Sequence, residues 1–173
     1  MKKSSNVFDY QSMKIFIGAD HAGFELKEEI KKYLTDLDLE YQDLGNTKYD
    51  INDDYPDFSY SVADAVAKDD RNFGILFCGS SFGACIVANK VPGIRAASVR
   101  DVAEVKQART HDDVNIICIP GGETKERISG LGIAESVAQR IVSTFLETEF
   151  SAAARHRRRL NKIKKIEAKY FKK

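Results

Sequence analysis

The chain reads as an α/β protein: a three-layer, Rossmann-like domain with a parallel sheet of about five strands, followed by an extra C-terminal helix. Two observations predict this. Short runs rich in β-branched and aromatic residues alternate with helical patterns, the signature of βαβ units. Those runs are almost continuously apolar instead of alternating with polar residues, which fits strands covered on both faces.

The elements follow in order. Residues 14–19, KIFIGA, form a first strand ending in a small-residue turn. Leu26, Ile30, Tyr33, Leu34 and Leu37 then share one face of a helix from Phe24 to about Leu37, and a weaker strand follows near 40–44. GILFC at 74–78 leads into a Gly-rich turn and the apolar segment ACIVANKV. IRAASV at 94–99 leads into the helical DVAEVKQART, and VNIICI at 114–119 leads through a loop into a long helix from about Ile128 to Leu146. The last segment, 151–171, places Leu160, Ile163 and Ile166 on one side of a helix. It comes after the α/β alternation is complete, so it is expected to lie on its own domain or on a partner subunit.

Bulk properties narrow the function. Hydrophobic residues make up 43% and charged residues 31%, ordinary values for a soluble domain. No apolar run approaches the roughly 20 residues of a membrane span, and MKKSSNVFDYQS lacks the apolar stretch of a secretory signal, so a cytoplasmic location is expected. The three cysteines, Cys78, Cys85 and Cys118, are odd in number and show no C-x2-C spacing. That argues against a disulfide framework and a zinc site, and for a free thiol. The net charge of +1 hides +9 between Arg155 and Lys173 and −8 in the remainder. Such a tail suits a nucleic-acid arm, a solvated helix face, or an anion site for a phosphorylated small molecule. No G-x-G-x-x-G follows the first strand, which disfavours dinucleotide binding.

In open α/β sheets, ligands bind outside the carboxyl ends of the strands. Cys78 closes a strand there, and Gly79-Ser80-Ser81-Phe82-Gly83 follows just before a helix. Such a turn can aim successive N–H groups at an anion, and a thiol at its edge is expected to have a lowered pKa. The alternative is a buried strand cysteine beside a tight turn. The three histidines, His21, His111 and His156, all lie in polar clusters at element ends, and none shows metal-ligand spacing.

Five segments carry a specific resemblance: GADHAGFELK at 18–27, DYPDF at 54–58, GILFCGSSFGACIVANKVPGIRAA at 74–97, RTHDDVN at 109–115 and RHRRR at 155–159. In this order they resemble the motif series of the ribose-5-phosphate isomerase B family, which includes galactose-6-phosphate isomerase subunits. The resemblance spans about residues 13–165. It implies an N-terminal extension at 1–12, the isomerase domain at 13–150, and a basic C-terminal helix at 151–173. It also implies interconversion of ribose 5-phosphate and ribulose 5-phosphate through a cis-enediolate, without cofactor or metal, in a homodimer or homotetramer with shared sites. Cys78 would be the base, Ser80 would shuttle a proton between the two sugar oxygens, His111 would assist ring opening, and Asp20 would hydrogen-bond the sugar. The amides of Gly79, Ser81 and Gly83 would face the enediolate, and Asp112 stands where an asparagine often contacts the sugar. His21, Arg127, Arg155 and Arg159 match the family's phosphate ligands.

This sequence departs from the family pattern in places. Ser80 replaces a usual threonine, Ala84 stands where one branch has a glutamate base, and Phe82 and Cys85 are unusual in the loop. The segment 121–126 is longer than usual before Arg127. A six-carbon substrate, allose or galactose 6-phosphate, is the first alternative. A non-catalytic nucleotide- or RNA-binding module is the second, but it leaves the Asp-His, Cys and Arg-Thr-His clusters unexplained, so no nucleic-acid or membrane partner is expected.

Overall fold

The computed structural model describes residues 13–121, 123–124, 127–128 and 131–171, with strand placement alone for 123–124 and 127–128. The extension expected at 1–12 lies outside the described residues. The elements run β1 (Ile15–Ala19), α1 (Phe24–Asp36), β2 (Tyr41–Asp43), α2 (Tyr55–Val66), β3 (Phe73–Cys78), α3 (Phe82–Ala88) and β4 (Ala96–Ser98). Then come α4 (Val102–Asp112), β5 (Ile116–Pro120), β6 (Glu123–Thr124), β7 (Arg127–Ile128), α5 (Glu135–Glu147) and α6 (Ala154–Tyr170). Strands β1 to β5 form one all-parallel sheet in the order β2-β1-β3-β5-β4, and β6 pairs with β7 antiparallel.

The strands' period of two divides the core into two layers. Ile15, Ile17, Ile75, Phe77, Ile117 and Ile119 face α1, α4 and α5. Phe16, Leu76, Cys78, Ile116 and Cys118 face α2 and α3. The chain steps across the sheet in one direction through α2 and α3, and in the other through α1 and α4. Each reversal of direction changes the face the helix covers, as a single crossover handedness requires.

Two elements differ from the sequence reading. Helix α2 has no counterpart there, because its apolar side is built largely of small residues: Ser59, Val62, Ala63, Ala65 and Val66 are its buried positions. The long helix starts at Glu135, not near Ile128, which lies in β7. Gly130 and Gly132 precede the observed start, and each glycine inside a helix costs about 1 kcal/mol relative to alanine.

Helix α4 decides where its last residues go. Asp101 accepts from the Glu104 amide at 2.8 Å while Glu104 accepts from the Arg100 amide at 2.7 Å, a reciprocal cap that starts the helix at the carboxyl edge of the sheet. At its other end Arg109 is buried, with Nη1 donating to Asp113 at 2.9 Å and to the Val114 carbonyl at 2.7 Å. Its Nε donates to the Thr148 carbonyl at 3.1 Å. The end of α4 is thereby tied to the end of α5 at the amino edge. Among the described residues no helix is long and apolar enough to cross a membrane.

Candidate active site

Strands β1 and β3 are neighbours in register, with Ala19 opposite Phe77. Asp20 and Cys78 therefore emerge side by side where the connections diverge, β1 leading to β2 on one side and β3 to β4 on the other. A crevice at such a switch point is where an open α/β sheet holds ligands. Both groups are buried, Asp20 at 5% and Cys78 at 7% exposure. The thiol hydrogen-bonds the carboxylate, which also accepts the Gly23 amide at 3.0 Å.

The electrostatics correct one expectation. Burial, then the Asp20 charge and the hydrogen bond to it, push the Cys78 thiol up to about 12, and the amides of Ser80 and Ser81 only partly oppose this. The loop's N–H groups do pull the thiol pKa down, but burial and the Asp20 carboxylate together outweigh two amides. Asp20 is itself raised by burial, against the hydrogen bonds from Cys78 and Gly23. The thiol is therefore protonated at rest.

The loop is held rigidly. Ser81 has φ +66° and is fully buried, and its hydroxyl bonds the Ser80 carbonyl and Ser98 Oγ. That hydroxyl is used inside the fold, and the Ser81 amide donates to the Cys78 carbonyl at 3.3 Å. Ser80 is half-buried. Glycine is required where backbones touch: a Cβ on Gly121 would lie 2.6 Å from the Ala22 carbonyl oxygen, and one on Gly23 would lie 2.6 Å from the Phe77 carbonyl oxygen. The turns after β1, β3 and β5 consequently pack into one floor, with the Gly121 amide donating to the Cys78 carbonyl at 3.0 Å.

His21 sits at the rim. Its backbone N–H and Nδ1 both reach Asp53 Oδ1, at 2.8 and 2.7 Å, and Asn46 Nδ2 donates to Asp53 Oδ2 at 2.5 Å. The Asn46 carbonyl in turn accepts from Lys27, which is fully buried and paired with Asp43 at 2.8 Å. Asp53 leaves Nε2 of His21 directed away from the carboxylate. The sequence reading missed Asp53, although it directly precedes the quoted DYPDF.

His111 is not with these groups. The resemblance gives it a step in the same reaction as Cys78, but within one chain it lies in the last turn of α4, at the amino edge, a strand's length away. The reason is directional: a helix joining parallel strands begins at one edge and ends at the other. There His111 stacks on His156 with ring centroids 4.4 Å apart. Exposed Arg155 and Arg159 are on the first turns of α6, and Asp112 is exposed next to His111. Arg127 lies in β7, but its side chain is outside the described residues, as is most of 121–126. Within one chain the residues therefore form two groups on opposite edges: Asp20, His21, Cys78 and the loop on one, and His111, Asp112, Arg155 and Arg159 on the other.

Fold and site define a class: an α/β protein with a buried thiol–carboxylate pair on its strand-end loops. The Ribose/Galactose Isomerase family model matches residues 15–163, and the chain belongs to that family. It is 40% identical over 157 residues to a probable ribose-5-phosphate isomerase B of Mycoplasma genitalium, covering 90% of this chain and 97% of that protein. It is 39% identical over 155 residues to the ribose-5-phosphate isomerase B of Mycobacterium tuberculosis, covering 90% of each. The crystal structure of the Mycoplasma genitalium enzyme with bound ribulose-5-phosphate superposes with TM-score 0.81, at 40% identity over 90% of this chain and 97% of that one. The Clostridium thermocellum enzyme gives 0.79, at 42% identity over 91% and 99%.

Proposed function

We propose that this chain interconverts ribose 5-phosphate and ribulose 5-phosphate, with Cys78 moving the proton between C2 and C1. The observation that carries the reading is the buried Asp20–Cys78 pair beneath the amides of the loop. Aldose–ketose exchange needs a base, donors for a cis-enediolate, and a route for the hydroxyl proton.

The base must first lose its own proton. A thiol at about 12 lies about five pH units from neutrality, roughly 7 kcal/mol away from ionisation by bulk water. Asp20 lowers that barrier, because it accepts the S–H hydrogen bond and burial makes it a better proton acceptor than a solvated carboxylate. Transfer to Asp20 leaves a thiolate, which takes the C2 proton of the opened aldose and returns it to C1. The amides of the loop stabilise the enediolate oxygens, and Ser80 shuttles the proton between O1 and O2. His111 assists ring opening. His21 Nε2 and the arginines at 155 and 159 hold the phosphate, with Arg127 assigned the same role.

This assignment requires two copies, since the thiol and the arginines lie on opposite edges of one chain. A homodimer in which α6 of one subunit reaches the carboxyl edge of the other completes each site. The apolar side of α6 supports it: Ile163 is 40% and Ile166 59% exposed, surface that a second copy would cover.

The test is turnover of ribose 5-phosphate, allose 6-phosphate and galactose 6-phosphate by the parent and by Cys78→Ala. Loss of several orders of magnitude on the five-carbon substrate, with substrate binding retained by calorimetry, is expected. Faster turnover of a six-carbon phosphate would reassign the substrate, and substantial turnover by Cys78→Ala would remove the base.

A further inference from the structure

His156 is the one histidine without a role in the chemistry above, and it is the most buried of the three, at 2% exposure within a helix whose neighbouring side chains are exposed arginines. Both ring nitrogens are engaged. Nδ1 lies 2.7 Å from Ser151 Oγ, and Arg155 Nε donates to Nε2 at 3.1 Å. Because an arginine only donates, Nε2 carries no proton, Nδ1 donates to Ser151, and the imidazole is neutral. The ring also stacks on His111 at 4.4 Å and 41°, with Phe150 at 6.4 Å on the same ring. Ser151 is fixed in turn by its amide, which donates to the Thr110 carbonyl at 3.1 Å, and the chain passes through Ala152 at φ +51° to reach α6.

We propose that His156 is a positioning residue for phosphate capture: it orients the Arg155 guanidinium without neutralising it, and it backs the His111 ring. The inference rests on the assignment of Arg155 to the substrate phosphate. The choice of partner is informative. A carboxylate would fix Arg155 equally well, but it would cancel the charge and compete with the phosphate. A neutral imidazole occupies the single Nε–H and leaves the four Nη hydrogens, with the full positive charge, for bidentate capture. The surroundings keep the ring neutral. Burial, then Arg155, His111 and Arg159, lower its pKa against the opposing charge of Asp112. A core histidine serving packing alone would need neither this tautomer nor this acceptor.

Two substitutions separate the functions. His156→Phe keeps a ring against His111 and loses the acceptor. His156→Gln keeps an acceptor for Arg155 and loses the ring. The full-length enzyme is assayed for kcat, for KM on ribose 5-phosphate, and for competitive inhibition by inorganic phosphate. His156→Phe is expected to raise KM and the phosphate Ki about tenfold, the loss of one hydrogen bond to a charged group, with kcat changed less than about twofold. His156→Gln should recover most of the phosphate affinity. In an Arg155→Ala background, His156→Phe should add nothing to the Ki. Ser151→Ala frees the tautomer without opening a cavity and should raise the Ki in the same direction, so the inference stays testable if His156→Phe does not fold.

Parent-like Ki in His156→Phe or, failing that variant, in Ser151→Ala would overturn the proposal, provided Arg155→Ala raises Ki. An equal added effect in the Arg155→Ala background would overturn it too, as would failure of glutamine to rescue. If Arg155→Ala itself leaves the phosphate Ki unchanged, the phosphate assignment falls and the inference falls with it.

Discussion

The resting state of Cys78 is open to a direct chemical test, because the molecule carries its own reference thiol. Hydrogen bonds from Cys118 and the Ser98 amide, opposed by burial, bring Cys85 down to about 7. Burial and Asp20 bring Cys78 up to about 12. At pH 8 these values leave Cys85 about 90% thiolate and Cys78 about one part in ten thousand, a ratio near 10⁴ in the reactive species. The more basic thiolate is intrinsically the better nucleophile. With a Brønsted slope of about 0.45, five pK units return roughly a factor of 200. The ionisation term wins, so iodoacetamide should alkylate Cys85 roughly fiftyfold faster than Cys78, and the greater exposure of Cys85 acts in the same direction. Peptide mapping by mass spectrometry over a time course reads both rates in one sample. Isomerase activity should decay with labelling of Cys78, not of Cys85. Asp20→Asn removes both the negative charge and the ionised acceptor, so Cys78 labelling should accelerate while turnover falls. Cys78 labelled as fast as Cys85 in the parent enzyme would refute the reasoning, since the thiol would then be ionised at rest without help from Asp20.

Three further outcomes follow from the geometry. His111→Ala should impair turnover of cyclic ribose 5-phosphate by tenfold or more yet act mildly on substrate supplied in the open-chain form; an equal defect on both would give His111 another role. Asp53→Asn should weaken the orientation of His21 and raise KM severalfold with kcat nearly unchanged, and a fall in kcat alone would detach His21 from phosphate binding. Cys78→Ala and the double variant Arg155→Ala/Arg159→Ala, each inactive alone, should regain part of the activity when refolded together. No recovery despite demonstrated heterodimers would place the whole site within one chain.

Much of this protein was legible locally. The near-continuous apolar strands, their alternation with helices and the position of Cys78 at a strand end depend on neighbouring residues, and the structure reproduces them. The ordered motifs identified the family for the same reason. Helix α2 escaped because small residues such as Ala63 and Ala65 give a weak periodic signal, and burial against α3 and the sheet stabilises them only once those surfaces exist.

Long-range facts had to come from the fold. Strand order sets Asp20 against Cys78, and burial together with that contact reverses the pKa shift expected from the amide loop alone. A sequence shows that a thiol precedes N–H groups, but not which charge will stand closer in a dry site. Likewise the motif RTHDDVN identifies His111, while only the run of α4 from the carboxyl to the amino edge shows that it belongs with His156 and Arg155 and not with Cys78. Local patterning determined which residues carry chemistry. The direction of each crossover and the order of the strands decided which of them meet, because proximity across a sheet depends on topology and not on separation along the chain.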